Sequence, residues 1–374
     1  MEKVFCMATG DRENSYATNS RVQEKAIMET SLVLRNAVER VYASLSPRDT
    51  MVVADLGCSS GPNTLLVVSQ VMNAVRGFTR KKGDSSAVDV QFFLNDLPNN
   101  DFNLLFRSLG ELHNLETEKA TVLSPYYVAG LPGSFYTRLF PCQSVHIFHS
   151  SYCLHWRSKV PEGLSSGAIL NEHNVYIGKA SPPSVVKLLQ EQFQEDFESF
   201  LALRYRELVY GGRMVLTFLG RKSKEMFMHG EVGNIFELLT EALQSLVQKG
   251  LVEKEKLISF NLPFYAPSVD EVKALIKENE LFDIENIRLF ESNWDPEDDS
   301  DRDMLPNSAS SGNRVAKTIR AVTESLIMDH FGEAILDELF MTYASIVAKH
   351  LEKGKAKTYT RYGFLAEGHA LNSL

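Results

Sequence analysis

Met51-Val-Val-Ala-Asp-Leu56 restricts the fold of this chain more than any other segment: an apolar run of strand length that ends in Gly57-Cys-Ser-Ser-Gly61-Pro62-Asn63. Leu65 to Val75 then carries helical character, and Pro62 falls in its opening turn, where a backbone N–H is not needed. The unit is a strand, a glycine turn and a helix. A second strand, Val88 to Leu94, ends in Asn95-Asp96-Leu97-Pro98, and further strands are expected at Thr121 to Val128, Ser144 to His149 and Met214 to Leu219. Helical stretches lie between them at Phe102 to Leu112 and Ser184 to Val209, with Gly211-Gly212 as a helix stop and turn. Strands alternating with helices indicate an α/β fold: an open, mostly parallel, Rossmann-like sheet with helices on both faces.

Ahead of the sheet, Ser15 to Leu45 has the apolar spacing of an amphipathic helix, on which Tyr16, Ser20 and Gln23 share one face. Beyond Gly220 the alternation stops. Helices are expected at Ile235 to Gly250 and Val269 to Glu278, and a long helical region from Arg314 to Glu352 is interrupted by Gly332. Trp294 to Asp303 is strongly acidic and Asn307 to Gly312 is small and polar, which predicts an exposed, mobile loop.

At 374 residues the chain is long enough for two or three lobes, or one domain with additions. Its net charge of −9 argues against a nucleic-acid partner, which would want a basic stripe. No apolar run reaches the roughly 18 residues of a membrane span. The polar stretch Met1 to Ser20 holds Asp11, Arg12 and Glu13 and resembles neither a signal nor a transit peptide. Cys6, Cys58, Cys142 and Cys153 form no CxxC pair, which suits a reducing, cytoplasmic setting without structural zinc.

The chemistry starts at Asp55-x-Gly57-x-x-x-Gly61. Glycines after a buried strand let the backbone approach a small molecule at the carboxyl edge of the sheet. A dinucleotide fingerprint has GxGxxG with a ribose acid roughly 20 residues on. Here the glycine spacing differs and the next acid at a strand end, Asp96, comes much later. An acid ahead of the glycines suits a ligand with an amino-acid tail and no diphosphate, such as S-adenosylmethionine. Asp96, at the end of the second strand, would take its ribose diol.

Several blocks carry a family resemblance: Glu13-Asn-Ser-Tyr-Ala-Thr-Asn-Ser20, Asp55-Leu-Gly-Cys-Ser-Ser-Gly-Pro-Asn63, Phe93-Leu-Asn-Asp-Leu-Pro98, Gly133-Ser-Phe-Tyr136, His149-Ser-Ser-Tyr-Cys-Leu-His-Trp156 and Phe331-Gly-Glu-Ala334. Together, in order and over nearly the whole chain, they resemble the plant SABATH methyltransferases. That resemblance implies methyl transfer from S-adenosylmethionine, with S-adenosylhomocysteine as product, to a small aromatic acid of the benzoate, salicylate or anthranilate type. Jasmonate and, in one branch, xanthine nitrogens are the family's other acceptors. It also implies a class I methyltransferase core (1–220, 266–295 and 346–374), a helical cap (221–265 and 296–345) and a homodimer.

Carried over block by block, the cofactor contacts fall on Tyr16, Ser20, Cys58, Asn63, Asp96, Leu97, Ser134 and Phe135, beside Asp55 and Gly57 of the glycine turn. The substrate carboxylate falls to Gln23 and Trp156, bordered by Tyr152 and His155, with Leu219, Ile235, Phe236, Tyr265, Ile319 and Val322 as walls. A carboxylate is already ionised at neutral pH, so it needs alignment rather than a base. Gln23 offers amide donors and Trp156 one indole donor, and neither carries charge. His155 is open to three readings: a packed histidine, a donor to a ring substituent, or a base should the acceptor be a nitrogen. A non-enzymatic alternative is a protein that binds a small acid without methylating it. Two departures from the family pattern stand out. Ala8 replaces a lysine that members often carry. Some members' magnesium site maps to Asn171, Phe260 and Asn261, but its aspartate position is Ile258, so a hard cation should bind weakly.

Overall fold

The computed structural model describes residues 5–46, 49–82, 88–118, 126–222, 231–295, 297, 307–353 and 360–370. Seven strands form one sheet: β1 (Thr50–Leu56), β2 (Asp89–Asp96), β3 (Tyr126–Pro132), β4 (Val145–Ser151), β5 (Leu208–Gly220), β6 (Phe282–Asn293) and β7 (Thr360–Ala370), in the order β3-β2-β1-β4-β5-β7-β6. The first five run parallel, and β7 is antiparallel to both of its neighbours. The helices are α1 (Tyr16–Asn19), α2 (Arg21–Ser44), α3 (Pro62–Lys82), α4 (Phe102–Glu118), α5 (Glu162–Ser165), α6 (Pro183–Glu207), α7 (Glu231–Gln248), α8 (Lys254–Ser259), α9 (Val269–Asn279), α10 (Ser308–Phe331) and α11 (Leu336–Lys353). None of the described helices is long and apolar enough to cross a membrane.

β1 shows why the apolar run had to be central. Its side chains alternate between faces, so Met51 and Val53 enter the core shared with α2 and α3, while Ala54 and Leu56 enter the core on the opposite face. All four are fully buried. Burial on both faces is what a parallel central strand requires.

Two of these expectations need correction. Gly211-Gly212 is not a helix stop: α6 ends at Glu207, and the glycines lie inside β5. The pairing jumps from Val145–Leu208 to Ile147–Arg213, and the surplus residues bulge out with Gly211 at φ +72°. The acidic segment is not loop throughout. Trp294 and Asp295 are buried, and Asp295 accepts from Ser311 Oγ at 2.5 Å and Arg314 Nε at 2.7 Å. Asn307 caps α10 through Ala309 N, and Ser308 to Gly312 are its first turns, whereas 296 and 298–306 lie outside the described residues. Of the strand expected from Thr121 to Val128, Tyr126 to Val128 lie in β3, and 121–125 lie outside the described residues.

α6 braces the site from behind. Arg204 and Glu207, both fully buried, pair at 2.8 Å. Arg204 also donates to Phe135 O and Thr137 O, and Glu207 accepts from Leu139 N and Phe140 N, so the pair ties down the loop after β3. Removing one partner strands a buried charge. Glu207→Gln is therefore expected to cost about 3–5 kcal/mol in urea unfolding; a loss below 1 kcal/mol would contradict the brace.

Candidate active site

β1 and β4 adjoin at the centre of the sheet, and the strand order runs outward from them in both directions. Ligands of open α/β sheets bind beyond the strand ends at such a point. There the structure has an open cavity whose empty space, solvent at its mouth included, is about 1130 Å³. Its floor comes from the strand ends: Gly57 and Ser59 after β1, Asp96 and Leu97 at β2, Ser134 to Tyr136 after β3, and residues between Tyr152 and Ser158 after β4. Its roof comes from Phe5 to Met7, Tyr16, Gln23, Ile235 and Phe236 of α7, Phe264, and Thr318, Ile319 and Val322 of α10. Leu219 of β5 completes the wall.

The end near β1 and β2 is polar. Gly57 has φ +77°, and a Cβ there would lie 2.3 Å from Cys153 Sγ, so this position accepts only glycine. Ser59 is also left-handed, and its N–H reaches Asp96 Oδ2 at 2.6 Å while Leu97 N–H reaches Oδ1 at 2.7 Å. Two backbone donors thus fix the carboxylate and leave lone pairs for a diol. Burial pushes the Asp96 carboxyl up to about 6, against the pull of those two amides, and nearby Asp55 adds to the rise. A diol donates to the ionised form, so affinity for S-adenosylhomocysteine should be full above about pH 7. It should fall by up to about tenfold per unit as the pH drops through 6. Calorimetric titration between pH 5 and 8 tests this, and a flat profile would contradict it. The effect on the empty fold has the opposite sign: with a raised pKa, Asp96 favours folding most below about pH 4 and loses that contribution as pH rises through 6.

The other end is aromatic. Trp156 stands between Phe5, with ring centroids 4.9 Å apart, and Phe264, 5.3 Å away, and its backbone bridges to Phe264. Its N–H bonds to Cys153 O, and its carbonyl accepts from Tyr136 Oη at 2.7 Å. No acceptor among the described residues takes its indole N–H. Gln23, buried on α2, faces the same space with its amide oxygen unpartnered. His155 Nδ1 accepts from Leu219 N at 3.2 Å, which places the ring proton on Nε2. In that state neither nitrogen offers a lone pair for proton abstraction.

Fifteen of the expected site residues line the cavity: Tyr16, Gln23, Gly57, Asp96, Leu97, Ser134, Phe135, Tyr152, His155, Trp156, Leu219, Ile235, Phe236, Ile319 and Val322. Others stand behind it. Asp55 accepts from Thr64 Oγ1 at 2.7 Å and pairs with His149 Nδ1 at 2.7 Å, which anchors the end of β1 behind the cavity lining. Ser20 O accepts from Asn63 Nδ2 at 3.1 Å, joining α2 to α3, and Cys58 is buried in the core beneath. Tyr265 is a correction: extended backbone turns successive side chains to opposite sides, so Phe264 faces the cavity while Tyr265 donates to Glu271 beside Arg221. Ser59, Tyr136, Cys153, Arg157, Ser158, Phe264, Thr318 and the segment from Phe5 to Met7 were missed. Arg157 and Ser158 directly follow the Trp156 block, which was their only signal. Ala8, in the missing lysine's place, is buried and bonds Ala321 O through its N–H.

The residues present do not suit a hard divalent cation. Asn171 Oδ1 accepts from Ser181 Oγ at 2.9 Å, its Nδ2 donates to Tyr176 O, and Asn261 Oδ1 lies 3.5 Å from that same nitrogen. Phe260 packs its ring against Phe331 and His330. This amide network satisfies itself, and it contains no carboxylate.

A family described as SAM dependent carboxyl methyltransferase matches residues 2–366. Anthranilate O-methyltransferase 2 of Zea mays is 51% identical over 364 residues, covering 96% of each chain. Benzoate O-methyltransferase of Zea mays is 52% identical over 381 residues, covering 96% of this chain and 97% of its own. A solved loganic acid methyltransferase with S-adenosylhomocysteine superposes with a TM-score of 0.84 at 34% identity, covering 98% of this chain and 99% of the other.

Proposed function

The chain belongs to the S-adenosylmethionine-dependent carboxyl methyltransferases, and on that premise we propose that it esterifies a small aromatic acid of the benzoate or anthranilate type. When bound, the cofactor supplies a methyl group on a positively charged sulfur. Asp96 and the turn from Gly57 to Ser59 would hold its ribose, with Ser134 and Phe135 along the adenosine. The observation that carries the reading is that two neutral donors, Trp156 and Gln23, share one cavity with that carboxylate.

Those donors orient the acid by one indole and one amide bond and add no positive charge of their own. Orientation supplies much of what such a transfer needs, because an ionised carboxylate is already a competent nucleophile. Phe5, Ile235, Phe236, Phe264, Ile319 and Val322 line the cavity and would surround the acid's ring and exclude water. These come from the N-terminal segment and from 221–265 and 296–345, which supports reading the last two as a cap over the core. The state of His155 disfavours xanthine-type N-methylation, where a ring N–H must lose its proton to a base.

The test is a panel of aromatic, indolic and fatty-acid-derived carboxylates plus xanthines, with product identification by mass spectrometry. Methyl esters of small aromatic acids are expected. N-methyl products, or binding without ester, would overturn the reading. Four unpaired cysteines among the described residues and the family resemblance support a cytoplasmic homodimer, which sedimentation of the purified protein would check.

A further inference from the structure

From the cluster behind Trp156 we infer that Asp196, outside the cavity on α6, is a positioning residue that neutralises Arg157 and so keeps the acid-binding end of the cavity free of net charge. The inference rests on the carboxylate reading above.

Arg157 is fully buried, lines the cavity and follows Trp156 in the chain. Its guanidinium stacks 4.8 Å from the Phe193 ring centroid and donates from Nη2 to Leu154 O. Nε and Nη1 have no hydrogen-bond partner. The charge is met by Asp196, whose Oδ2 lies 3.8 Å from Nη1. Asp196 also accepts from Ser158 N at 2.8 Å, Ser158 Oγ at 2.6 Å and Gln192 Nε2 at 3.0 Å. One buried carboxylate therefore grips the two residues after Trp156, while Arg157 N bonds Pro263 O on the other side.

The reaction joins an anion to a cation and leaves neutral products. An uncompensated cation beside the acid would stabilise the anionic ground state more than the transition state, in which that charge is partly spent. Binding would tighten and turnover would slow. Asp196 prevents this by pairing with Arg157 while it fixes the backbone that carries the indole.

Asp196→Asn removes the charge at nearly constant shape. The acid, titrated calorimetrically into the complex with S-adenosylhomocysteine, should bind several-fold tighter, and kcat should fall about tenfold or more. Affinity for S-adenosylhomocysteine itself should stay within about twofold. Adding Arg157→Met restores neutrality, so the double variant should recover kcat to within about threefold of wild type even if the single variant does not fold. Weaker acid binding in Asp196→Asn, or a double variant no faster than Asp196→Asn, would overturn the inference. Wild-type protein that esterifies no acid would instead overturn the function on which it rests.

Discussion

Trp156→Phe should lower kcat for the aromatic acid by roughly a hundredfold and raise KM about tenfold, while affinity for S-adenosylhomocysteine stays within about twofold. Phenylalanine keeps an aromatic ring between Phe5 and Phe264 but removes the indole N–H together with part of the ring system. A hydrogen bond to a charged group contributes about 1.5–3 kcal/mol, which sets the KM change. Losing alignment of the attacking oxygen sets the larger kcat change. Unchanged turnover would remove Trp156 from the mechanism, and lost cofactor affinity would mean that the substitution had disturbed the floor instead.

Asp96→Ala should act on the opposite half of the cavity, weakening S-adenosylhomocysteine binding by about a hundredfold or more. Two carboxylate–hydroxyl bonds would be lost, each worth about 1.5–3 kcal/mol. The N–H groups of Ser59 and Leu97 would also lose their acceptor, loosening the turn between β1 and α3. Calorimetry measures the constant directly. An affinity within threefold of wild type would take the ribose away from Asp96.

The central strands were legible because both faces of a parallel strand are buried, so β1 is an apolar run broken only by Asp55 near its end and flanked by turn residues. The antiparallel edge was not. In β6 the apolar positions Phe282, Ile284, Ile287 and Leu289 slip by one where the register shifts between Ile284 and Asn286, which breaks the two-residue period. β7 lies beyond the last helix, and its Thr360–Ala370 stretch holds two glycines and several polar residues. The family blocks found the cavity because its floor is built from contiguous strand ends. They failed where facing matters: Phe264 and Tyr265 are neighbours in the chain but only one meets the ligand space. Asp295 misled in another way, since its partners Ser311 and Arg314 sit a helix away and composition alone showed an acidic loop.

A crystal structure of the protein with S-adenosylhomocysteine and a benzoate or anthranilate bound together tests the account most directly. The acid's carboxylate is predicted to lie about 3 Å from both the Trp156 indole nitrogen and the Gln23 amide, with the ribose on Asp96. A carboxylate turned away from both donors, or an adenosine bound away from the ends of β1 and β2, would contradict it.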